Sequence, residues 1–340
     1  MNGLGIALVG AGFIADYHLD GLSVVAEAEV RVIASRTVTK AQDVAARHGV
    51  ADATDDIGAA ICRPDVAAVV ITTPDDTHEA LACEAMRAGR AVLLQKPMAP
   101  TAAACRRILA VAAETGADLQ VSWMHRHFEE VAAAQALLAN DAIGRVTSVR
   151  IRNATPGPDW GDWFFRRDVV GGGVVLQLGI HGIDLVSYLF GPIVAVSART
   201  ATLLKERRLR DGRVICVENP DTAHAVYELE AGPLVAHEMS MIEPAGTDRF
   251  RMEIYGTDGV LWLRTEHGPL ALRRKGADSW TACPVPVAPL GYRHHRAWVD
   301  SLLGGTKQAS ANDGLRSMLV AEAIAASAER GGARMQVEPT

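Results

Sequence analysis

Residues 5–9, Gly-Ile-Ala-Leu-Val, form a short apolar run that stops on Gly10-Ala11-Gly12-Phe13-Ile14-Ala15. A strand feeding a Gly-x-Gly-x-x-Ala turn that opens a helix leaves few folds available. Gly10 permits the tight turn, Gly12 lets a pyrophosphate approach the backbone, Ala15 lets helix and strand pack closely, and the helix N-terminus faces the phosphates. Phe13 and Ile14 lie inside the same turn and border the ligand it would hold. A glycine turn that holds nothing is the plain alternative. The context weighs against it, because a second apolar run, 30–34, follows at the distance a dinucleotide-binding unit needs.

That second run ends in Ser35-Arg36, where a site for NAD usually carries an acidic residue against the ribose hydroxyls. A hydroxyl and a guanidinium suit a 2′-phosphate instead, with Thr37, Thr39 and Lys40 nearby, so NADP is slightly favoured over NAD. The alternative has Ser35 capping the next helix and Arg36 stacking on the adenine. Patterns then alternate, with helices over 40–48, 77–88 and 101–115 and strands over 67–71, 91–95 and 118–122. This is the order of a Rossmann-type doubly wound parallel sheet, whose ligands sit beyond the carboxyl ends of the strands. Two segments leave strands at that edge: Thr73-Pro74 with His78, and Gln95-Lys96-Pro97. Lys96 falls where a nicotinamide ring would lie, although a solvated loop lysine fits the residues equally well.

From residue 128 the pattern changes. A helix over 128–140, a strand over 145–153 and a loop over 154–170 rich in Pro, Gly and Trp precede the stretch 171–184, GGGVVLQLGIHGID. Gln177, His181 and Asp184 recur there at intervals of four and three, which is one face of a helix. An amide, an imidazole and a carboxylate buried on an apolar helix need partners, so a polar network or a ligand is expected beside them. In the preceding loop Trp160, Trp163, Phe164 and Phe165 stand beside Arg166 and Arg167, a set suited to a sugar ring or a carboxylate. The alternative makes the aromatics inter-domain core and the arginines surface.

Strand-like segments follow over 193–202, 222–228, 234–241, 250–255, 260–264 and 270–274, and helices over 292–303 and 313–330 close the chain. The expected fold is α/β: a dinucleotide-binding Rossmann domain over 1–122, then an α+β domain over 123–340 with an open, mainly antiparallel sheet, the last helix being free to pack back on the first domain. One face of that sheet covers helices, and the other suits a second subunit, so a homodimer or homotetramer is expected. The run Lys205, Arg207, Arg208, Arg210 before Asp211-Gly212 reads as a solvated hairpin tip.

Composition narrows the function classes. With 340 residues, 49% hydrophobic and 22% charged, the chain is an ordinary globular protein with room for two cores. A net charge of -6 and the lack of a long basic block argue against a nucleic-acid partner. Cys62, Cys83, Cys105, Cys216 and Cys283 are odd in number and far apart, which suits reduced, mostly buried thiols in the cytoplasm and neither a disulfide framework nor a zinc site. Neither a signal peptide nor a membrane-spanning run is expected. His125, His127 and the His294-His295 pair lack a carboxylate at helical spacing, so they read as loop or surface histidines, and no metal is expected.

The Gly10, Gly12 and Ala15 turn, Thr73-Pro74 with His78, Lys96-Pro97, the GGG helix with Gly179, His181 and Asp184, and the closing Ser327-Ala328 with Gly331 together resemble one family. It is the glucose-fructose oxidoreductase, inositol dehydrogenase and MocA (Gfo/Idh/MocA) family, and the likeness covers nearly the whole chain. The resemblance implies an NAD(P)-dependent oxidoreductase that moves a hydride between a nicotinamide and a secondary alcohol of a sugar, polyol or sugar acid. It implies that Lys96 is the lysine of the family's Glu-Lys-Pro motif, that His181 is its active-site histidine, and that His78 lies near the nicotinamide.

Two positions depart from the pattern, Gln95 in place of a glutamate and Gln177 in place of an aspartate four residues before the histidine. Each puts a neutral amide where a carboxylate would hold Lys96 charged, so Lys96 is expected to deprotonate more easily. Catalysis is therefore expected from Lys96 and His181, either of which accepts the hydroxyl proton, with Gln177 as a positioner. Cofactor contacts are expected from Gly10, Gly12, Phe13, Ile14, Ser35, Arg36, Thr73, Pro74, His78, Gln95 and Lys96. Substrate contacts are expected from Arg126, Trp163, Arg166, Arg167 and His181. The missing carboxylates leave two other readings open: a cofactor-binding sensor or co-repressor without turnover, and a redox-cycling sugar lyase or glycosidase that retains its NAD.

Overall fold

In the computed structural model, β1 (Leu4–Val9) is apolar and buried from Gly5 onward, the condition of a strand covered on both faces. The structure describes residues 3–167, 169–230, 232–245, 249–264, 270–306 and 311–340. The chain divides into two compact units, Met1–His127 with Ala288–Leu315, and Phe128–Val287 with Arg316–Thr340. Among the described residues no helix is long and apolar enough to cross a membrane.

In the first unit β1 leads through α1 (Ala15–Ser23), β2 (Ala28–Ala34), α2 (Val38–His48), β3 (Asp52–Thr54), α3 (Ile57–Cys62), β4 (Ala68–Ile71), α4 (His78–Arg87), β5 (Ala91–Leu94) and α5 (Ala102–Thr115) to β6 (Leu119–Val121). The six strands are parallel, in the order β3-β2-β1-β4-β5-β6. The order reverses between β1 and β4, so the carboxyl ends of those two strands flank the crevice where such sheets take ligands. Local chemistry agrees with the ends of the helices. Asp56 caps α3 by accepting from the Ala59 amide at 2.8 Å, Thr101 caps α5 by accepting from the Ala104 amide at 3.2 Å, and α2 and α5 stop at left-handed Gly49 and Gly116. The core gathers Ile6, Leu8, Leu22, Ile33, Val70 and Leu93 around Trp298 and Val299, which arrive on the helix Tyr292–Leu302. β3 and α3 go beyond the expected elements, being too short to show a period in the residues.

The second unit is built on a nine-stranded sheet. Its spatial order is Thr281–Ala282, Ala271–Arg274, Gly259–Leu263, Phe250–Gly256, Val146–Ala154, Leu234–Ser240, Thr222–Leu229, Ile193–Ala201 and Met335–Gln336. Every neighbouring pair is antiparallel except Val146–Ala154 with Leu234–Ser240, which is parallel. The alternation in Thr222–Leu229 puts Ala223, Ala225, Tyr227 and Leu229 on the buried face and His224 and Val226 on the open one. The stretch 171–184 covers the buried face. Its glycines make that approach possible, since a β-carbon at Gly179 would strike the Met239 sulfur and one at Gly182 would stand 2.7 Å and 2.9 Å from atoms of the His237 ring.

Three expectations need correction here. The polar stretch is not one uniform α-helix, because Val175–Gly179 forms a π turn ahead of the α-helix Ile180–Phe190. Its wider i→i+5 ring falls between the glycines and His181, where no residue period announces it. The basic run does form a hairpin, Glu206–Arg208 with Val214–Cys216, yet Arg207 is not at a solvated tip. It turns inward, donating to the carbonyl oxygens of Pro156 and Met241 at 2.6 Å each and lying 4.9 Å over the Phe165 ring. All five cysteines are free thiols, but only Cys83 and Cys105 are buried, because Cys62 ends a surface helix and Cys216 sits on the hairpin.

Gly182→Ala is expected to destabilise the protein by about 1–3 kcal/mol, since the added methyl meets a hydrogen-bonded ring that has nowhere to move. A lower urea midpoint at unchanged m-value is the measurement.

Candidate functional site

At the switch point of the parallel sheet the backbone is held by contacts that only this sequence allows. Gly10 has φ +114°, and a β-carbon there would lie 2.7 Å from both the carbonyl carbon and the Oγ1 of Thr72. Thr72 uses its hydroxyl to donate to the Val9 and Gly10 carbonyls at 3.1 and 2.7 Å, while the Gly10 amide donates to Ala34 at 2.8 Å. Gly12 is different. Its β-carbon would meet nothing nearer than the Thr72 carbonyl at 4.0 Å, so the space a side chain would fill stays open. α1 begins just beyond, with no side-chain cap at Ile14. An open glycine at an uncapped helix N-terminus fits a pyrophosphate.

Ser35 and Arg36 follow the end of β2. The Ser35 amide donates to the Thr54 carbonyl at 3.0 Å, and Arg36 is exposed. Ser35 does not cap α2; that position belongs to Thr37, so its hydroxyl is not committed to the helix.

After β4 and β5 the two loops are stapled by His78. Its Nδ1 lies 2.9 Å from the Pro97 carbonyl and its Nε2 2.9 Å from the Thr73 carbonyl, which ties the Thr73-Pro74 turn to the Lys96-Pro97 turn. Burial holds its pKa below the usual imidazole range although both carbonyls act to raise it. A neutral ring carries one N–H, so His78 donates to only one of the two carbonyls and meets the other in close contact. Thr77 Oγ1 reinforces the first turn, 2.7 Å from Thr73 Oγ1 and from the Pro74 carbonyl. Lys96 is half-buried, and its amide donates to Gln95 Oε1 at 3.0 Å.

Between those loops lies a carboxyl that the residue pattern did not single out. Asp75 is 4% exposed, and neither of its oxygens has a hydrogen-bond partner. Burial pushes its pKa up to about 6, the neighbouring charge of Asp76 adds to the rise, and the Lys96 ammonium opposes it. An unsatisfied buried carboxyl at the mouth of a dinucleotide site is costly to the empty protein. The signal available in the residues was the doubled acid after Thr73-Pro74.

Other expected site residues in this unit are placed as follows. Arg126 is buried and donates through Nη1 to Asp313 Oδ2 at 2.9 Å. His125, His294 and His295 are buried, contrary to their reading as loop or surface histidines. The helix Tyr292–Leu302 turns its first residues into the core, and its partner is α1: Tyr17 Oη lies 3.1 Å from His294 Nδ1 and His18 Nδ1 lies 2.8 Å from His295 Nε2.

In the second unit His181 and Asp184 are buried and Gln177 is half-buried. Beneath them the sheet carries its own polar chain. Tyr227 donates to His237 Nδ1 at 2.7 Å, and His237 Nε2 donates to Asn153 Oδ1 at 2.8 Å. Burial holds His237 near 3, which keeps it neutral and fixes that direction of donation. In the loop, Trp163 stacks on Phe164 at 3.6 Å. Phe165 is buried, while Arg166 and Arg167 are exposed. Arg167 is fastened to Glu218, its amide donating to Oε2 and its Nη2 to the carbonyl, each at 2.9 Å.

The Asp75 carboxyl gives a pH prediction whose sign is fixed. A pKa raised from 3.8 to about 6 means the folded state binds the proton more tightly, so the residue has no effect below the lower value and destabilises increasingly as pH rises to the upper one. Asp75→Asn should therefore match the parent near the lower value and be more stable at neutral pH, by up to about 3 kcal/mol. Denaturant unfolding of the cofactor-free protein across that range measures the difference.

Comparison with known proteins agrees with this geometry. A profile described as an oxidoreductase family, NAD-binding Rossmann fold, matches residues 4–123, and the GFO/IDH/MocA C-terminal domain matches residues 131–262. Levoglucosan dehydrogenase of Pseudarthrobacter phenanthrenivorans is 25% identical over 97% of this chain and 97% of its own length. Inositol 2-dehydrogenase 2 of Saccharopolyspora erythraea is 30% identical over 99% of this chain and 96% of its own. A solved structure of levoglucosan dehydrogenase in complex with NADH and L-sorbose shares the fold, with a TM-score of 0.89 at 24% identity over 100% of both chains. With both profiles matched in order along the sequence, the chain belongs to the GFO/IDH/MocA family of oxidoreductases and carries its NAD-binding Rossmann domain.

Proposed function

We propose that this protein is an NAD(P)-dependent dehydrogenase or reductase acting on a secondary alcohol of a sugar, polyol or sugar acid. The observation that carries this reading is the open Gly12 cradle at the switch point, on the same sheet edge where His78 staples the Lys96 loop to the Thr73-Pro74 turn. The relatives named for levoglucosan and inositol support a hydroxyl-rich substrate. When bound, the nicotinamide supplies the hydride acceptor or donor. The chain supplies the rest: Gly10, Gly12, Phe13 and Ile14 at the pyrophosphate, Ser35 and Arg36 at the adenosine end, and Thr73, Pro74 and Gln95 around the lysine loop. Lys96 or His181 accepts the hydroxyl proton during oxidation, and Gln177, which cannot relay a proton, hydrogen-bonds the substrate in place. The unit Met1–His127 with Ala288–Leu315 holds the cofactor, and the unit Phe128–Val287 with Arg316–Thr340 supplies most of the substrate contacts.

Substrate selection falls to Trp163, Arg166, Arg167 and Arg126. Two amides in place of carboxylates lower the negative charge expected beside Arg166 and Arg167, which favours a carboxylated sugar over its neutral parent. Cofactor selection falls to Ser35 and Arg36, whose hydroxyl and guanidinium favour a 2′-phosphate. The open face of the nine-stranded sheet pairs Arg152 with Glu238 and Glu243, a mixed-sign surface suited to self-complementary association in a homodimer or homotetramer.

Net formation of reduced nicotinamide with a panel of polyols and sugar acids is the expected outcome. Cofactor binding without turnover would replace this reading with a sensor, and product release without net reduced nicotinamide would replace it with a redox-cycling lyase. Lys96→Met should lower kcat by about 10²- to 10⁴-fold, and retention of more than roughly a tenth of the parent rate would remove Lys96 from the proton step. Arg36→Ala should weaken NADP by about tenfold or more while leaving NAD nearly unchanged, as read by fluorescence titration of the two cofactors.

A further inference from the structure

The side chain at position 95 does not project into open space. Gln95 is buried, with Nε2 2.8 Å from His18 Nε2 and 3.3 Å from Ser122 Oγ, and with Oε1 accepting the Lys96 amide at 3.0 Å. His18 in turn meets His295, whose Nδ1 lies 2.7 Å from the Gly291 carbonyl. The bonds form one line, Gly291 to His295 to His18 to Gln95 to the Lys96 peptide.

The direction of every bond in that line is dictated from its Gly291 end. A carbonyl only accepts, so His295 Nδ1 carries the proton. In a neutral ring its Nε2 is then bare and must accept, so His18 Nδ1 is the donor. His18 Nε2 is bare in turn and requires a donor, which the Gln95 amide provides. Its carbonyl oxygen is left pointing at the Lys96 amide. An ionised carboxylate at position 95 has no proton to give, and the line would close only if one imidazole became an imidazolium.

The surroundings resist that charge. His18 and His295 are fully buried, and the groups facing them are Tyr17 on α1, at 5.3 Å from both rings, and His294 at 4.8 Å from His295 and 6.1 Å from His18. His127 stacks on His294 at 4.7 Å, and beyond it act the positive charges of Arg126 and Arg293. Among the described residues, no carboxylate is one of the groups acting on either ring of the pair. Burial keeps His18 well below the usual imidazole range and His295 at about 4, so both are neutral at physiological pH.

We infer that Gln95 is a positioning residue for Lys96, locked in one orientation by a neutral, one-way hydrogen-bond line from the buried His18–His295 pair. The inference rests on the reading of Lys96 as the acid–base group, and it explains why an amide stands where relatives are expected to carry a carboxylate. The lysine loop is thereby held by groups that do not titrate over the working pH range.

Ring-nitrogen NMR of the unmodified protein tests the line directly and does not depend on turnover. Expected are two neutral rings, each with Nδ1 protonated and Nε2 bare, unchanged over about pH 6 to 8. A proton on His18 Nε2 would overturn the inference whatever the enzyme's activity. Gln95→Glu is the second arm. It should hold one extra proton, either on the new carboxyl donating to His18 Nε2 or on a ring protonated at both nitrogens, and both kcat and stability should fall as pH rises and that proton leaves, with kcat dropping about 10- to 100-fold and KM changing little. A variant whose ring signals and kcat–pH profile coincide with the parent's would likewise defeat it. Retained activity in Lys96→Met with an intact histidine line would remove the acid–base reading and leave the hydrogen-bond line standing, whereas a proton on His18 Nε2 in an enzyme that needs Lys96 would remove the line alone.

Discussion

A β-carbon at position 10 would stand 2.7 Å from the Thr72 carbonyl carbon, and much of the first unit is organised by that contact. Because β1 and β4 run this close at their carboxyl ends, the chain can turn out of β1 directly beneath the Thr72-Thr73-Pro74 turn. The Thr72 hydroxyl then holds the Val9 and Gly10 carbonyls, and the Thr73 carbonyl is free to receive His78. His78 passes the same registration to the Lys96-Pro97 turn after β5. A single steric exclusion thus sets the relative height of three consecutive strand ends, which is what a site assembled from loops needs.

The parallel half of the fold was legible because its strands are mostly short apolar runs separated by helices, and Gly10, Gly12 and Ala15 mark the turn chemically. The second unit was legible as alternation in segments such as Thr222–Leu229, whose inward residues are Ala223, Ala225, Tyr227 and Leu229 and whose outward ones are polar apart from Val226. What composition and period did not carry were features made by hydrogen-bond geometry. The π turn at Val175–Gly179 is a change in backbone ring size with no residue signature. The inward turn of Arg207 depends on carbonyls from the 156–158 loop and from Met241, which lie far off in sequence.

Of the residues named from the motifs, Gly10, Thr73 and Lys96 lie in the turns after strands, and His78, Gln177 and His181 lie on helical turns, whereas their partners were not foreseeable. His294 and His295 looked like surface histidines because the period of a helix says which face is apolar and not what stands opposite it. Opposite them are Tyr17 and His18, and only the tertiary fold pairs positions so distant along the chain. Asp75 was similarly hidden, since an acidic pair after a turn is ordinarily solvated, and burial of one member is decided by the 3-10 turn that follows Pro74.

Trp298 and Val299 complete the core of the first unit from a segment that is made only after all strands of the second sheet but Met335–Gln336. During synthesis, the parallel sheet therefore emerges with a gap in its hydrophobic interior and with His18 lacking the ring that accepts its proton. Such a sheet is an open intermediate, with the long-range contacts that slow folding still to come. The order of the chain thereby makes maturation of the nucleotide-binding half conditional on the other half having been translated, so a truncated product would be left poorly folded rather than active as a free cofactor trap.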